Sequence, residues 1–165
     1  VAADMGGPLK NAAYAFGLMM LGMAKGGAAD AYPIAKAAYI IMAAIMAGGM
    51  VPPLGIALAC RVFPKKFTET EHSTWIPNIV MGCSFITEGA IPFAAADPLH
   101  TIPAAVAGAG IAGLLSAAFE CTLMVPAGGI FVFATVGRPI LYVVSWLTGS
   151  LVTMFLLGIM KKDVN

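Results

Sequence analysis

The sequence predicts an all-α integral membrane protein in which transmembrane helices are accompanied by two re-entrant hairpins. The first observation behind this is compositional: of 165 residues, 60% are hydrophobic and 10% charged, with a formal net charge of +1. Soluble domains carry about 25% charged residues, so this chain has too few to cover a water-facing surface, and its mean hydropathy is +0.91. The second is length, because the apolar residues fall into blocks near the roughly 20 residues that a spanning helix requires. The third is that two blocks are broken by glycine and proline, one around a carboxylate. Disulfide scaffolds, charged tails and nucleic-acid binders are excluded, since each needs paired cysteines, charge runs or a basic face.

Taken in order, the first block runs from Ala12 to Ala24, behind Pro8 and Lys10-Asn11 and ahead of a Lys25-Gly-Gly27 stop. The second, Ala37 to Cys60, is long enough to cross, but Gly48-Gly49 and Pro52-Pro53 predict a kink or break, because proline removes a backbone donor and clashes with the preceding turn. Arg61-Val-Phe-Pro-Lys-Lys-Phe67 and the wet stretch Thr68 to Thr74 follow. Block three, Ile76 to Ala96, contains Ser84-Phe-Ile-Thr-Glu-Gly-Ala-Ile-Pro-Phe93. Block four, Ile102 to Leu123, begins after Asp97-Pro98 with Pro103 near its first turn, a favourable position for a helix start. Block five, Met124-Val-Pro-Ala-Gly-Gly-Ile-Phe-Val-Phe133, is short and glycine-broken, and block six, Ile140 to Met160, ends at Lys161-Lys162.

Loop charge tests this layout. Lys and Arg favour the cytoplasmic side, which puts the Arg61/Lys65/Lys66 cluster and the Lys161-Lys162 pair there together. The short stretch Met124–Phe133 of block five cannot span about 30 Å at about 1.5 Å per residue, so block five enters and leaves on one face. The two basic clusters then agree only if block three also re-enters; two crossings, with block five extended or distorted, give the same parity, and length argues against them. Non-helical backbone at membrane depth is tolerated where it is buried or lines a wet cavity, so the hairpins are expected to bound a polar site. Cys60, Cys83 and Cys121 lie far apart in apolar runs and read as reduced, buried cysteines.

Glu88 is the only ionisable residue in the middle of block three, and an intramembrane carboxylate normally faces a cavity and has a function. Thr87 adds a hydroxyl, Gly89 permits close backbone approach, and Pro92 prevents a regular helix through the site. A carboxylate accepting from two hydroxyls suits a neutral polyol; the plainer alternative is a structural carboxylate at a hairpin tip or paired with a cation. Asp97 reads at least as well as a turn and helix-start residue. Gly128-Gly129 can expose backbone donors or simply turn the chain. His72 and His100 are isolated, so no metal is expected, and no nucleophile–base arrangement, phosphate loop or dinucleotide fingerprint appears, so no cofactor is expected.

Four motifs in order, Asp4-Met-Gly-Gly-Pro8 with Ala12-Ala-Tyr-Ala-Phe-Gly17, Met50-Val-Pro-Pro-Leu-Gly-Ile-Ala57, Phe85-Ile-Thr-Glu-Gly-Ala-Ile-Pro-Phe-Ala-Ala-Ala-Asp-Pro-Leu99 and Gly128-Gly-Ile-Phe-Val-Phe133, resemble the fructose-type enzyme IIC. This is the membrane permease component of the bacterial phosphoenolpyruvate-dependent sugar phosphotransferase system. The resemblance implies that residues 1–165 are the C-terminal part of a partial enzyme IIC permease fold, lacking its N-terminal helices, in the bacterial inner membrane. It implies binding and translocation of fructose or a similar sugar, with phosphorylation by a IIB component. Its implied partners are IIB and IIA, the lipid bilayer and a second permease copy. Glu88 is then the sugar ligand, with Thr87, Gly89, Asp4, Asn11, Gly128 and Gly129 as further substrate-binding candidates, and the chain itself carries no phosphoryl group.

Three positions depart from the family pattern: Pro126-Ala127-Gly128-Gly129 stands for Pro-His-Gly-Gly, Leu9-Lys10-Asn11 for Val-Asn-Lys, and His100 for an arginine. The nearest rival function is an ion-coupled secondary transporter, which also uses broken helices and a lone carboxylate.

Overall fold

A computed structural model describes residues 1–26 and 32–163, so Gly27 of the expected stop signal lies outside the described residues. The helices are α1 (Pro8–Lys25), α2 (Tyr32–Val62), α3 (Glu69–Ser73), α4 (Trp75–Cys83), α5 (Ile91–Ala96), α6 (Pro98–Ala118) and α7 (Pro139–Met160), with 3-10 turns at Pro64–Lys66, Thr87–Ala90 and Ile130–Val132. No strand occurs among the described residues; Leu123 and Val136 form an isolated antiparallel bridge. Among the described residues, three helical stretches are long and apolar enough to cross a membrane: Pro33–Val62, Pro98–Ala118 and Pro139–Met160.

These three helices pack on one another, with α2 at the centre. Met42, Met46, Met50, Val51 and Ile56 of α2 are fully enclosed. Two sets of contacts fix the directions. At one end, Lys36 near the start of α2 donates to Glu120 just past α6 at 2.9 Å, and Arg138 at the start of α7 donates to the Phe119 carbonyl at 3.0 Å. At the other end, Lys66 donates to the Lys161 carbonyl at 2.5 Å. Helices α2 and α7 therefore run parallel and α6 runs against them. The two basic clusters, separated by 95 residues in sequence, meet at one end of the bundle, as the loop charges require.

Small residues set the closest approach. Side chains added at Gly108 or Gly149 would collide with the facing helix, Gly108 with Thr153 and the Gly149 carbonyl, Gly149 with the Gly108 carbonyl and Ala112. Without a hydrophobic drive between helices in lipid, such backbone-to-backbone packing is a principal source of their association. Thr153 adds hydrogen bonds to the Ala104 and Gly149 carbonyls at 3.3 and 3.1 Å.

Helix α2 corrects one expectation: it runs without a break through Gly48-Gly49 and Pro52-Pro53. Pro53 has no N–H to give the Gly49 carbonyl four residues back. That carbonyl instead accepts from the Thr87 hydroxyl at 3.1 Å, 38 residues away in sequence. The missing intrahelical bond is replaced from outside.

Helix α6 starts at Pro98, so Pro98 rather than Pro103 occupies the first turn, and Pro103 lies inside the helix. Asp97 does serve as the helix-start residue, with its carboxylate oxygens 2.7 and 2.9 Å from His100 Nδ1. The helix stops at Ala118, short of the expected Leu123. The amides of Glu120 and Cys121 close its end on the Ala117 and Ser116 carbonyls, with Glu120 at φ +51°. Among the cysteines, Cys60 and Cys121 are buried as expected, whereas Cys83 is only partly so.

The two broken blocks behave alike. Block three is α4, a turn and α5. Its far end returns to its start, since Phe93 of α5 packs edge-on against Phe67, just ahead of α3, with ring centroids 6.2 Å apart. Block five contains only the 3-10 turn Ile130–Val132, and the Gly137 amide bonds the Thr122 carbonyl at 2.9 Å, closing its two ends together.

Candidate functional site

Where α4 ends, the chain makes a sharp reversal that delivers Glu88. The Ile86 amide bonds the Met81 carbonyl at 2.8 Å and the Phe85 amide bonds the Gly82 carbonyl at 3.3 Å, the paired closure in which the intervening residue adopts left-handed backbone. Glycine is the usual occupant; here it is Phe85, at φ +63°. Neighbouring glycines make room for its ring: a Cβ on Gly49 of α2 or on Gly128 of block five would lie within the ring's own volume. Phe85 is thus slotted between two glycine backbones, Gly128 from the fourth motif and Gly49 from just before the second.

Directly after this reversal the 3-10 turn Thr87–Ala90 presents Thr87, Glu88 and Gly89 in different directions. Thr87 is fully buried and its hydroxyl is committed to the Gly49 carbonyl. Replacing it with valine keeps the shape and leaves that carbonyl unpaired, a loss of about 1–3 kcal/mol. A lowered unfolding temperature of the Thr87→Val permease in detergent checks this. Gly89 faces α4, where any side chain would strike Asn78 and Met81; its role is close packing of the turn on α4.

Glu88 is oriented by the N-terminal segment. Its Oε1 accepts from Lys10 Nζ at 2.6 Å, with side-chain exposures of 14% for Lys10 and 47% for Glu88. Lys10 Nζ also stands 5.5 Å from the centroid of the Phe85 ring, within the range of a cation–π attraction. The Gly6 backbone, at φ +125°, lies against the Glu88 side chain. Tyr14 donates to the Pro126 carbonyl at 2.7 Å and ties α1 to block five.

The other sequence candidates sit around this centre. Asp4 accepts from the amides of Leu9 at 2.5 Å and Lys10 at 3.2 Å; it caps the start of α1 and so positions Lys10. Asn11 is exposed, about 100° further round the helix from Lys10. Gly128 backs the Phe85 ring, and Gly129, at φ +94°, lies against the Cys83 carbonyl and Ser84. The structure brings Asp4, Thr87, Glu88, Gly89, Gly128 and Gly129 into one neighbourhood.

Sequence reasoning missed Lys10 and Phe85. A signal for Lys10 was present, because a carboxylate in an apolar segment calls for a cation and Lys10 stands just ahead of the first block. Phe85 gave no comparable signal, since an aromatic residue at a left-handed position is uncommon.

Beside Glu88 opens a cleft of about 380 Å³, within the 300–1,000 Å³ typical of small-molecule sites. Its walls come from α4 and the Thr87–Ala96 stretch, including Asn78, Met81, Gly89 and Phe93, and its mouth is edged by Thr70 and Glu71. Asn78 is buried, and its amide nitrogen has no hydrogen-bond partner. The edge is anchored by a second charged group: Lys161 pairs with Glu71 at 3.4 Å and lies 4.1 Å from the Phe67 ring centroid, while Lys66 pairs with Asp163 at 3.4 Å.

Comparison with known proteins follows this geometry. The chain is 49% identical over its full length to a protein named PTS system fructose-specific EIIABC component from Bacillus subtilis, covering 24% of it. It is 48% identical over its full length to the Fructose permease IIC component of Bacillus amyloliquefaciens, covering 50% of that protein. A PTS system fructose-specific EIIC component from Haloferax volcanii is 38% identical over the whole chain, with 40% of that protein covered. The matches bear out the resemblance to the fructose-type enzyme IIC. The chain spans half or less of each of these relatives. No family model matches, and no solved structure matches.

Proposed function

We propose that this chain is the C-terminal part of the membrane domain of a sugar permease in a phosphotransferase system, and that it binds and translocates fructose or a fructose-like sugar. The observation that carries this reading is the convergence of separate IIC-like motifs on one carboxylate: Gly6 and Lys10 from the first, Phe85 and Glu88 from the third, Gly128 from the fourth, with Gly49 of α2, next to the second, behind them. In this reading Glu88 accepts hydroxyls of the sugar, and Asp4, Thr87, Gly89, Gly128 and Gly129 hold its surroundings in shape. Asn11 belongs to the same first motif at the rim.

The closed ends of both broken blocks support re-entrant hairpins, one from each end of the bundle, meeting where Gly128 touches Phe85. Such a junction of broken segments near mid-membrane is how transporters assemble a polar site without exposing backbone to lipid. The names of the relatives include fused B and C components, which supports a IIB partner at the end carrying Lys65, Lys66 and Lys161. A IIA component, a second permease copy and the bacterial inner membrane complete the proposal. The chain contributes sugar positioning to the phosphoryl transfer, a proximity effect.

Energy coupling tests the reading. In membrane vesicles holding the complete permease, labelled fructose uptake is expected to require a phosphoryl donor and the cytoplasmic phosphotransfer proteins. Uptake driven by a proton gradient without any donor selects the ion-coupled transporter instead.

A further inference from the structure

We propose that Lys10 is the donor half of the sugar-binding pair, a specificity-determining residue that works with Glu88 and does more than neutralise it. The inference rests on the reading that Glu88 binds sugar. Each partner keeps hydrogen-bonding capacity in reserve. An ammonium has three protons and a carboxylate about four acceptor positions. Only one contact, Lys10 Nζ to Glu88 Oε1 at 2.6 Å, joins them. Among the described residues, the other Lys10 protons have no acceptor and Glu88 Oε2 has no donor from another residue. Acceptor and donor capacity thus stand side by side, the carboxylate half exposed and the ammonium largely covered. Two neighbouring hydroxyls of a polyol fit that arrangement, one hydroxyl donating a hydrogen bond to the carboxylate and the other accepting from the ammonium.

The surroundings keep the donor in place. Asp4 caps the amide of Lys10 itself, the Phe85 ring lies under the ammonium, and the Lys10 side chain is largely covered while that of Glu88 is not. A lysine serving only as a counter-ion needs none of this second support. Lys10 therefore discriminates among sugars by the hydroxyl it reaches.

The test uses the complete permease with labelled fructose and a series of fructose analogues each lacking one hydroxyl as competitors. Lys10→Met is expected to raise KM about tenfold or more, the loss of a hydrogen bond from a charged donor, and to abolish the penalty for one particular deoxy analogue while leaving the others. An unchanged penalty pattern in Lys10→Met overturns the proposal. So does recovery of the wild-type KM and pattern in the exchanged pair Lys10→Glu with Glu88→Lys, which restores an ion pair but not the donor at that place. If Lys10→Met fails to fold, Lys10→Arg keeps the pair and moves the donors: an altered pattern at unchanged thermal stability supports the proposal, an unaltered one overturns it. Glu88→Gln separates the two levels. Wild-type binding by Glu88→Gln removes the sugar-site reading itself; loss of binding there with a normal Lys10→Met overturns the Lys10 role alone.

Discussion

Glu88→Gln in the complete permease is expected to reduce kcat/KM for fructose uptake roughly ten- to a hundredfold, the range for hydrogen bonds to a charged group. Glutamine preserves the length and planarity of the side chain, so the Phe85 reversal and the 3-10 turn are retained. What changes is that Oε1 or Oε2 becomes an NH₂, which cannot accept, and the 2.6 Å contact with Lys10 loses its charge. Half of the Glu88 side chain is exposed, so folding is little affected; thermal unfolding of the purified variant within a degree or two of wild type, alongside collapsed uptake, is the expected pairing. Uptake at the wild-type rate would remove Glu88 from the sugar site.

The second large effect is on assembly. Gly149→Val is expected to destabilise the permease by at least the 1–3 kcal/mol typical of overpacking, and to lower its yield in the membrane. Gly149 and Gly108 meet backbone to backbone between α6 and α7. An added isopropyl group at Gly149 must push the helices apart, and the Thr153 bond to the Ala104 carbonyl at 3.3 Å goes with them. Gly110, two residues beyond Gly108 on α6, has open space around it, so Gly110→Ala serves as control and gains about 0.5–1 kcal/mol of helix propensity. Unfolding temperatures in detergent that rank the two variants together would contradict the assignment of this contact.

How far the sequence was readable depended on the range of the interaction. Helix α7 and the body of α6 followed from uninterrupted apolar runs, and the broken character of Ile76–Ala96 followed from Gly89 and Pro92, because those signals are local. The continuity of α2 was not readable, since the acceptor freed by Pro53 is satisfied by Thr87 from a different block, and no local rule for proline registers such a partner. The same contact gives the Thr87 hydroxyl an acceptor that its own sequence neighbourhood does not reveal. Asn11 was the candidate of the first motif, and only the helix start at Pro8, with Asp4 as its cap, puts its neighbour Lys10 on the side that faces Glu88. Glu88 itself was readable because a carboxylate inside an apolar block is rare enough to stand out alone.

The Phe85 slot carries a consequence for how this region tolerates change. Gly6, Gly49, Gly128 and Gly129 each press bare backbone against the stretch from Cys83 to Glu88, so the mould that shapes the carboxylate's setting is made of atoms those residues do not have. Random mutagenesis should therefore show an asymmetry: positions that look least informative, scattered small residues in three distant parts of the chain, tolerate almost no enlargement. The exposed residues nearer in sequence to Glu88, such as Ile86 and Ile91, accept many replacements.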